Sequence, residues 1–289
     1  MAFSPPPRIG LLVSGPEALA DYNLFVATLE LWHPDAELFI FTDSSTDVKR
    51  APKSGKVYVK QTALDAYKGK RRSEMEATSG LKYDSLFKDY TYEKAAVLEW
   101  MFEVMDTTAS ASGGAWFMDA DIIHTAPLPR IPNDAVVALS PHAIRAADEA
   151  KFGHYNAGYM WFKDKSLLEV WKSAGHTSRF FEQAALEHVA LEAKAQLYEF
   201  HPSVNFGWWR MFQSPLSPPD QQKKFSLFRS EPGIGLRYDG VALQSIHTHW
   251  FQRDYSATHA FNDWFVRILG LLKVHKPTQQ FLRILNSAK

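Results

Sequence analysis

The chain has 289 residues, 46% of them hydrophobic, enough to bury a large core as one domain or two close-packed halves. Lysine plus arginine and aspartate plus glutamate each number 32, so the formal charge is zero, and with no long basic run nucleic acid is not an expected partner. There is no cysteine, which excludes disulfides, and no run of about eighteen apolar residues, so no membrane span is expected.

In chain order, the segment Met1 to Arg8 lacks the basic-then-apolar order of a signal peptide. Arg8 to Ser14 reads as a buried strand. Ala18 to Trp32 carries Leu19, Tyr22, Phe25, Val26 and Leu29 near helical spacing. Glu37 to Thr42 is a second strand ending at Asp43, and Lys56 to Lys60, alternating Val and Tyr, is a third. Residues 61–90 are polar and basic-rich and are expected to be loop-like. A helix is expected over Tyr92 to Met105. The flexible Ser110-Ala-Ser-Gly-Gly114 then breaks the chain before a strand over Ala115 to Met118.

Further strands are expected over Ala135 to Ser140, Asn156 to Phe162, Leu197 to Phe200 and Leu243 to Trp250. Helices are expected over Lys165 to Ser173 and Ser178 to Gln196, a loop over Gln213 to Asp220, and a late amphipathic helix over Phe261 to Val274. The β-α-β-β opening predicts a doubly wound α/β sheet. No internal repeat or linker divides the chain.

The most informative stretch is Ala115-Trp-Phe-Met-Asp119-Ala-Asp121-Ile-Ile-His124, an apolar run ending in two acids one residue apart. In an extended chain such residues point to one side. Asp119 and Asp121 can then offer hard oxygen ligands to one Mg²⁺ or Mn²⁺, and a cation so held can bind a diphosphate and neutralise it as it leaves. The alternative is a solvated strand-to-loop turn. His247 and His249, two apart on an expected strand, face one way, so that one can bind a metal while the other contacts phosphate or acceptor; otherwise they are half-buried, hydrogen-bonded histidines.

Taken in order, these motifs are a β-α-β opening, a helix, strand-Asp-x-Asp, Asn156-Ala-Gly158 on a strand, Glu182-Gln183 on a helix, and His247-Thr-His249 on a late strand. Together they resemble the GT-A fold glycosyltransferases over roughly residues 8 to 255, especially the glycogenin-like and bacterial galactosyltransferase-like families. The soluble glycosyltransferases of large algal viruses are similar in size. The resemblance implies a GT-A (Rossmann-like) mixed, mainly parallel twisted sheet flanked by helices. It implies one compact domain over 1–289, with a nucleotide-sugar half at about 8–140 and an acceptor half at about 141–289. The implied activity is transfer of a hexose, or a pentose such as xylose, from a nucleotide-sugar, UDP by resemblance, to a carbohydrate acceptor. Mn²⁺ or Mg²⁺ is the implied cofactor and the cytoplasm (of the host, if viral) the implied location.

Carried over by position, Asp119 contacts ribose and metal, Asp121 ligates the metal, and His247 or His249 completes the site. Asn156 and Gly158 lie beside the donor sugar, and Glu182-Gln183 near its anomeric carbon. Two departures stand out. Glu182 replaces an Asp, and His-Thr-His-Trp replaces the usual His-x-x-Gly-x-x-Lys-Pro-Trp tail.

Other residues are read from the chain itself. Val13-Ser14 and Asp43 close the first two strands, where base and ribose are expected, although Asp43 can equally cap a turn. Lys94, on the helix before the Asp-x-Asp strand, can reach a phosphate or is a surface lysine. Lys68-Gly-Lys70-Arg71-Arg72 is a solvated loop or a lid. Trp208, Trp209 and Trp250 are core residues or platforms for an acceptor sugar. Gly158 lets the backbone approach a neighbour, either a strand or the donor sugar.

Rival readings fit less well. A haloacid dehalogenase-type phosphatase wants Thr or Val where Ile123 stands. A sugar nucleotidyltransferase wants a basic Gly-rich loop where Ser14-Gly-Pro-Glu-Ala stands. A non-catalytic carbohydrate-binding module explains the aromatics but not the acids and histidines together.

Overall fold

The computed structural model describes residues 5–106, 113–229, 233–251, 256–272 and 274–287. Ser110 to Ser112 of the expected flexible break, the residues before Pro5 and Lys273 of the expected late helix lie outside them.

The opening alternates as its apolar pattern dictates. Strand β1 (Arg8–Val13) leads into helix α1 (Gly15–Leu29), then β2 (Glu37–Thr42) and β3 (Lys56–Lys60). Successive β1 side chains serve opposite layers. Ile9, Leu11 and Val13 meet Tyr22, Phe25, Val26 and Leu29 of α1, whereas Leu12 belongs to the cluster of Val97, Leu98 and Met101 on the other face. Gly10 points to that second face, where an added Cβ would lie 2.9 Å from Met101 Sδ. The helix there can therefore sit directly on the strand.

The expected loop over 61–90 is in part helical. Helix α2 (Arg72–Ala77) occupies its middle, and α3 (Leu86–Asp106) begins six residues before Tyr92. Helix α2 starts where the Glu74 carboxylate accepts from Arg71 N–H, a local cap that composition does not reveal.

Strand β4 (Ala115–Met118) is buried at all four positions, and a turn carries the chain into β5 (Ile122–His124). There follow β6 (Val137–Pro141), α4 (Ala146–Phe152), β7 (Tyr155–Phe162), α5 (Ser166–Gly175), α6 (Leu186–Ala193) and β8 (Leu197–Glu199). The main sheet runs β3-β2-β1-β4-β7-β6-β8. It is parallel from β3 to β4 and between β6 and β8, and antiparallel where β7 pairs with β4 and β6. Helices cover both faces, as a mixed, mainly parallel sheet requires.

A second layer is built from β9 (Phe206–Gly207), α7 (Trp208–Phe212), α8 (Pro218–Lys223), β10 (Phe225–Leu227), β11 (Leu236–Tyr238), β12 (Val241–Ala242), β13 (Ser245–His247), α9 (Ser256–Leu269) and α10 (Lys276–Ser287). Its core is aromatic: Phe206, Phe225, Tyr238, Trp250, Phe261, Trp264 and Phe265. The small sheet β5-β13-β9 joins this layer to the Asp-x-Asp turn, with His247 opposite Ile122 in an antiparallel ladder. The expected strand over Leu243 to Trp250 is thus reduced to three residues.

One expected helix is corrected. Glu182 and Gln183 do not lie on a helix over Ser178 to Gln196, because α6 starts only at Leu186. Phe181 has φ +39, outside the helical region. The Phe180 and Phe181 rings pack against different partners, Phe152 at 4.9 Å and Phe87 at 4.8 Å. Trp171 Nε1–H donates to Glu182 O at 2.7 Å, which holds the turn open. Among the described residues no helix is long and apolar enough to cross a membrane.

Candidate active site

Asp119 and Asp121 sit in the turn between β4 and β5 rather than on an extended strand. Asp119 N–H donates to Gly158 O at 2.8 Å, and Ile122 N–H donates to Asp119 O at 3.3 Å. The turn still converges the two carboxylates, because β4 is fixed in the large sheet and β5 in the small one. The β5–β13 ladder brings His247 to them: Nε2 lies 3.1 Å from Asp121 Oδ1 and 3.8 Å from Asp119 Oδ2. His249, just past β13, places Nδ1 3.0 Å from Asp121 Oδ2. Each oxygen of Asp121 therefore faces one imidazole.

Asp119, Asp121 and His247 each present a ligand atom within 4.8 Å of the others, so this group can hold a metal ion. Two carboxylate oxygens and an imidazole nitrogen suit Mn²⁺ well and Mg²⁺ through its oxygen preference. The strand beneath is shaped to this cluster. A Cβ on Gly158 would fall 2.4 Å from Asp119 Oδ2 and 2.4 Å from His247 Cε1. The neighbour for which Gly158 makes room is thus the cluster itself.

Lys94 on α3 is buried rather than on the surface. Its Nζ lies 3.1 Å from Asp119 Oδ1, 3.0 Å from Glu182 Oε1 and 3.3 Å from Ala157 O. Burial works against its charge, but the carboxylates of Asp119 and Glu182 outweigh it and hold the ammonium above its ordinary range. Lys94 thereby ties the Asp-x-Asp turn to the 182–183 turn. Burial likewise pushes Asp121 up, yet His247 and His249 prevail and hold it well below the usual carboxylate range. His249 is pulled down by burial and pushed up, to about 9, chiefly by Asp121.

These groups open on a cleft of about 530 Å³ lined by Ser14, Lys94, Asp119, Asp121, Asn156, Glu182, Gln183, Trp208, Trp209, His247 and His249. Three expected residues lie elsewhere. Val13 is wholly buried between β1 and α1. Asp43 is buried, with Oδ2 accepting from Ser14 Oγ, Gly15 N and Thr46 Oγ1 and Oδ1 accepting from Ser45 N; it pins the β1–α1 turn to the end of β2 and does not line the cleft. Trp250 belongs to the aromatic core of the second layer and does not line the cleft either. Trp208 and Trp209 open the short helix α7. Trp209 packs edge-on to the His247 ring at 4.9 Å, and Trp208 is only half-buried.

Sequence reading missed Asp21 and Asn205 as site residues, and it named Arg72 only within the basic 68–72 cluster. Asp21 on α1 is buried beside the cluster; burial first, then the charge of Asp121, push its carboxyl up to about 8. A polar residue on the buried face of an otherwise apolar helix was the available signal. Arg72 lines the cleft and stacks over the Phe87 ring at 4.7 Å. Asn205 is wholly buried behind His247 and bonds its Nδ1.

The sequence matches no family model and no curated protein. Among solved structures, the galactosyltransferase LgtC in complex with donor and acceptor sugar analogs aligns at 12% identity and a TM-score of 0.52, covering 97% of this chain and 95% of that one. The glycosyltransferase GlyE of Streptococcus pneumoniae TIGR4 aligns at 10% identity and a TM-score of 0.41, over 71% of this chain and 48% of its own, so this chain spans about half its length. With the strand order above, the LgtC alignment shows that the chain has the GT-A fold.

Proposed function

We propose that this protein is a divalent-cation-dependent glycosyltransferase that moves a hexose, or a pentose such as xylose, from a nucleotide-sugar, with UDP as the nucleotide, to a carbohydrate acceptor. The observation that carries the reading is the convergence of Asp119, Asp121 and His247 at the carboxyl end of β4, on the floor of a cleft large enough for a nucleotide-sugar. Mn²⁺ or Mg²⁺ held by these three side chains would offset the charge of the departing diphosphate.

The protein's own groups supply the rest. His249 is cationic at neutral pH and offers a positive partner to the diphosphate, a role that Arg72 at the cleft wall extends. Ser14 lies at the nucleotide end. Asn156, on β7 beside the cluster, presents its amide to the donor sugar hydroxyls. Lys94 keeps Glu182 paired and in place. Glu182 and Gln183 then face the anomeric centre, where a carboxylate or an amide oxygen stabilises the positive charge that develops as the bond to phosphate lengthens. Trp208, half-buried at the rim, gives the apolar face of the acceptor sugar a surface to stack on, with Trp209 behind it.

The test is incubation with Mn²⁺ and a panel of nucleotide-sugars, following nucleoside diphosphate release and thermal stability together. Release should occur with a UDP-sugar and vanish in Asp119→Ala and Asp121→Ala while both variants stay folded. Near-normal turnover in either variant would refute the assignment, and release of pyrophosphate instead would make the protein a nucleotidyltransferase.

A further inference from the structure

A second cavity, of about 380 Å³, adjoins the cleft: Phe180 and Phe181, just before Glu182, line both. The Arg72–Glu76 ion pair spans the divide, since Arg72 lines the cleft and Glu76 the second cavity, with Nε 2.6 Å from Oε1. Lys88, near the start of α3, lines the second cavity with Asp84, Ser85 and Ser178.

Lys88 is buried, its side chain only 3% exposed, yet its charge is poorly served. Its Nζ lies 3.3 Å from Asp84 Oδ2 and 3.4 Å from Ser178 O. Charge-assisted N–H···O bonds normally close to about 2.7–2.9 Å, and an ammonium has three protons to place. Lys94, the other buried lysine of α3, meets two carboxylates at 3.0 and 3.1 Å. Asp84 offsets the burial of Lys88 weakly, because its own side chain is 72% exposed and water screens the pair. Ser178 Oγ is closed off from water and, among the described residues, has no hydrogen-bond partner. Buried polar groups of this kind call for a partner from outside the chain.

The charges around the cavity cancel in pairs. Arg72 faces Glu76, Lys88 faces Asp84, and Glu187 holds Arg179 through two contacts of 2.7 Å. A phosphate or carboxylate would find no surplus cation there and would approach Glu76 and Asp84. A neutral sugar fits better. Its hydroxyls can accept from Lys88 and donate to Asp84, and its apolar CH face can pack on the phenylalanine rings.

We infer that this cavity is a second acceptor subsite, which takes the neutral sugar unit next to the one that reacts, so that the acceptor is an oligosaccharide of at least two units. This rests on the glycosyltransferase reading above and adds to it the size and charge of the acceptor.

The test compares glucose, maltose and maltotriose, and xylose, xylobiose and xylotriose, as acceptors in the presence of Mn²⁺ and the nucleotide-sugar panel. The acceptor kcat/KM should rise about tenfold or more from one unit to two and level off at three, the worth of one hydrogen bond to a charged group. Lys88→Met removes the buried donor and leaves only the already hydrated Asp84, so the fold should survive. In that variant the ratio of disaccharide to monosaccharide kcat/KM should fall about 10–100-fold, and Lys88→Arg, which keeps donors, should retain part of it. Equal kcat/KM for one unit and two in the wild-type protein, or an unchanged ratio in Lys88→Met, would overturn the inference. Calorimetric titration of the same sugars reads the subsite without turnover: a disaccharide should bind the wild-type protein and bind Lys88→Met more weakly. Turnover with no preference for disaccharides defeats the second subsite alone. No turnover, with disaccharide heat that is lost in Lys88→Met, defeats the transferase reading and keeps the cavity as a sugar site; neither turnover nor heat defeats both. Tighter binding of inorganic phosphate, or of a disaccharide carrying a uronic acid, would overturn the assignment to a neutral sugar.

Discussion

Substituting Gly158 by alanine probes the candidate site through a single methyl group. The new Cβ would sit 2.4 Å from Asp119 Oδ2, 2.4 Å from His247 Cε1 and 3.0 Å from Asn156 Oδ1, whereas ordinary contact starts at 3.4 Å. The carboxylate and the ring must therefore each withdraw by about 1 Å, or β7 must move, and β7 is clamped between β4 and β6. Overpacking of this kind costs about 1–3 kcal/mol, and each kcal/mol lowers the melting temperature by roughly 2–4 °C in a chain of this order of size. The variant should still fold. Metal–ligand distances tolerate only about 0.2 Å, so a displacement five times larger removes at least one ligand and should weaken Mn²⁺ binding by at least 10–100-fold, about the effect of disturbing a ligand's support. Isothermal titration of Mn²⁺ in the presence of UDP, beside a thermal melt, separates the two effects. A Gly158→Ala protein that binds Mn²⁺ and turns over like wild type would refute the reasoning from the steric contact.

Three further outcomes are expected. Lys94→Met leaves Asp119 and Glu182 without their shared buried cation and should destabilise the fold by about 3–5 kcal/mol in denaturant unfolding, with Lys94→Met/Glu182→Gln recovering part of the loss. Trp208→Ala should raise the acceptor KM with little change in donor KM, and an unchanged acceptor KM would remove Trp208 from the acceptor surface. Without metal, stability should decline as pH rises. His249 is raised from 6.5 to about 9, so its contribution is complete below pH 6.5 and lost through pH 9. Asp21, raised from 3.8 to about 8, also keeps in the fold a proton that the unfolded chain releases. The native state thus holds more protons across both windows and the slope is negative. Saturating Mn²⁺, which needs deprotonated ligands, should flatten the decline, and melts from pH 6 to 9 with and without the ion test the sign.

The sheet was legible because continuous apolar runs such as Arg8–Val13 and Ala115–Met118 are what strands buried on both faces must look like. The Asp-x-Asp pair and the two histidines were legible as chemistry, but not how they meet: β5 is three residues long, too short for a periodic signal, and its ladder with β13 is a tertiary event. Glu182 was expected on a helix because Ala184 to Ala193 is helix-forming, and the aromatic contacts that bend Phe181 out of the helical region lie across the fold. For Asp43 and Trp250 the sequence left two readings open, and the structure has Asp43 clamping a turn and Trp250 in the aromatic core. Asn205 had no visible pattern, because its importance comes from partners 42 and 49 residues away.

Calorimetric titration of Mn²⁺ and UDP into the metal-free protein and into Asp121→Ala is the most direct test of the cation site. The wild-type protein should release or absorb heat with one ion bound per chain and the variant should give none. No heat from the wild-type protein, or equal binding by both, would contradict a cation held between the Asp119–Asp121 turn and a diphosphate.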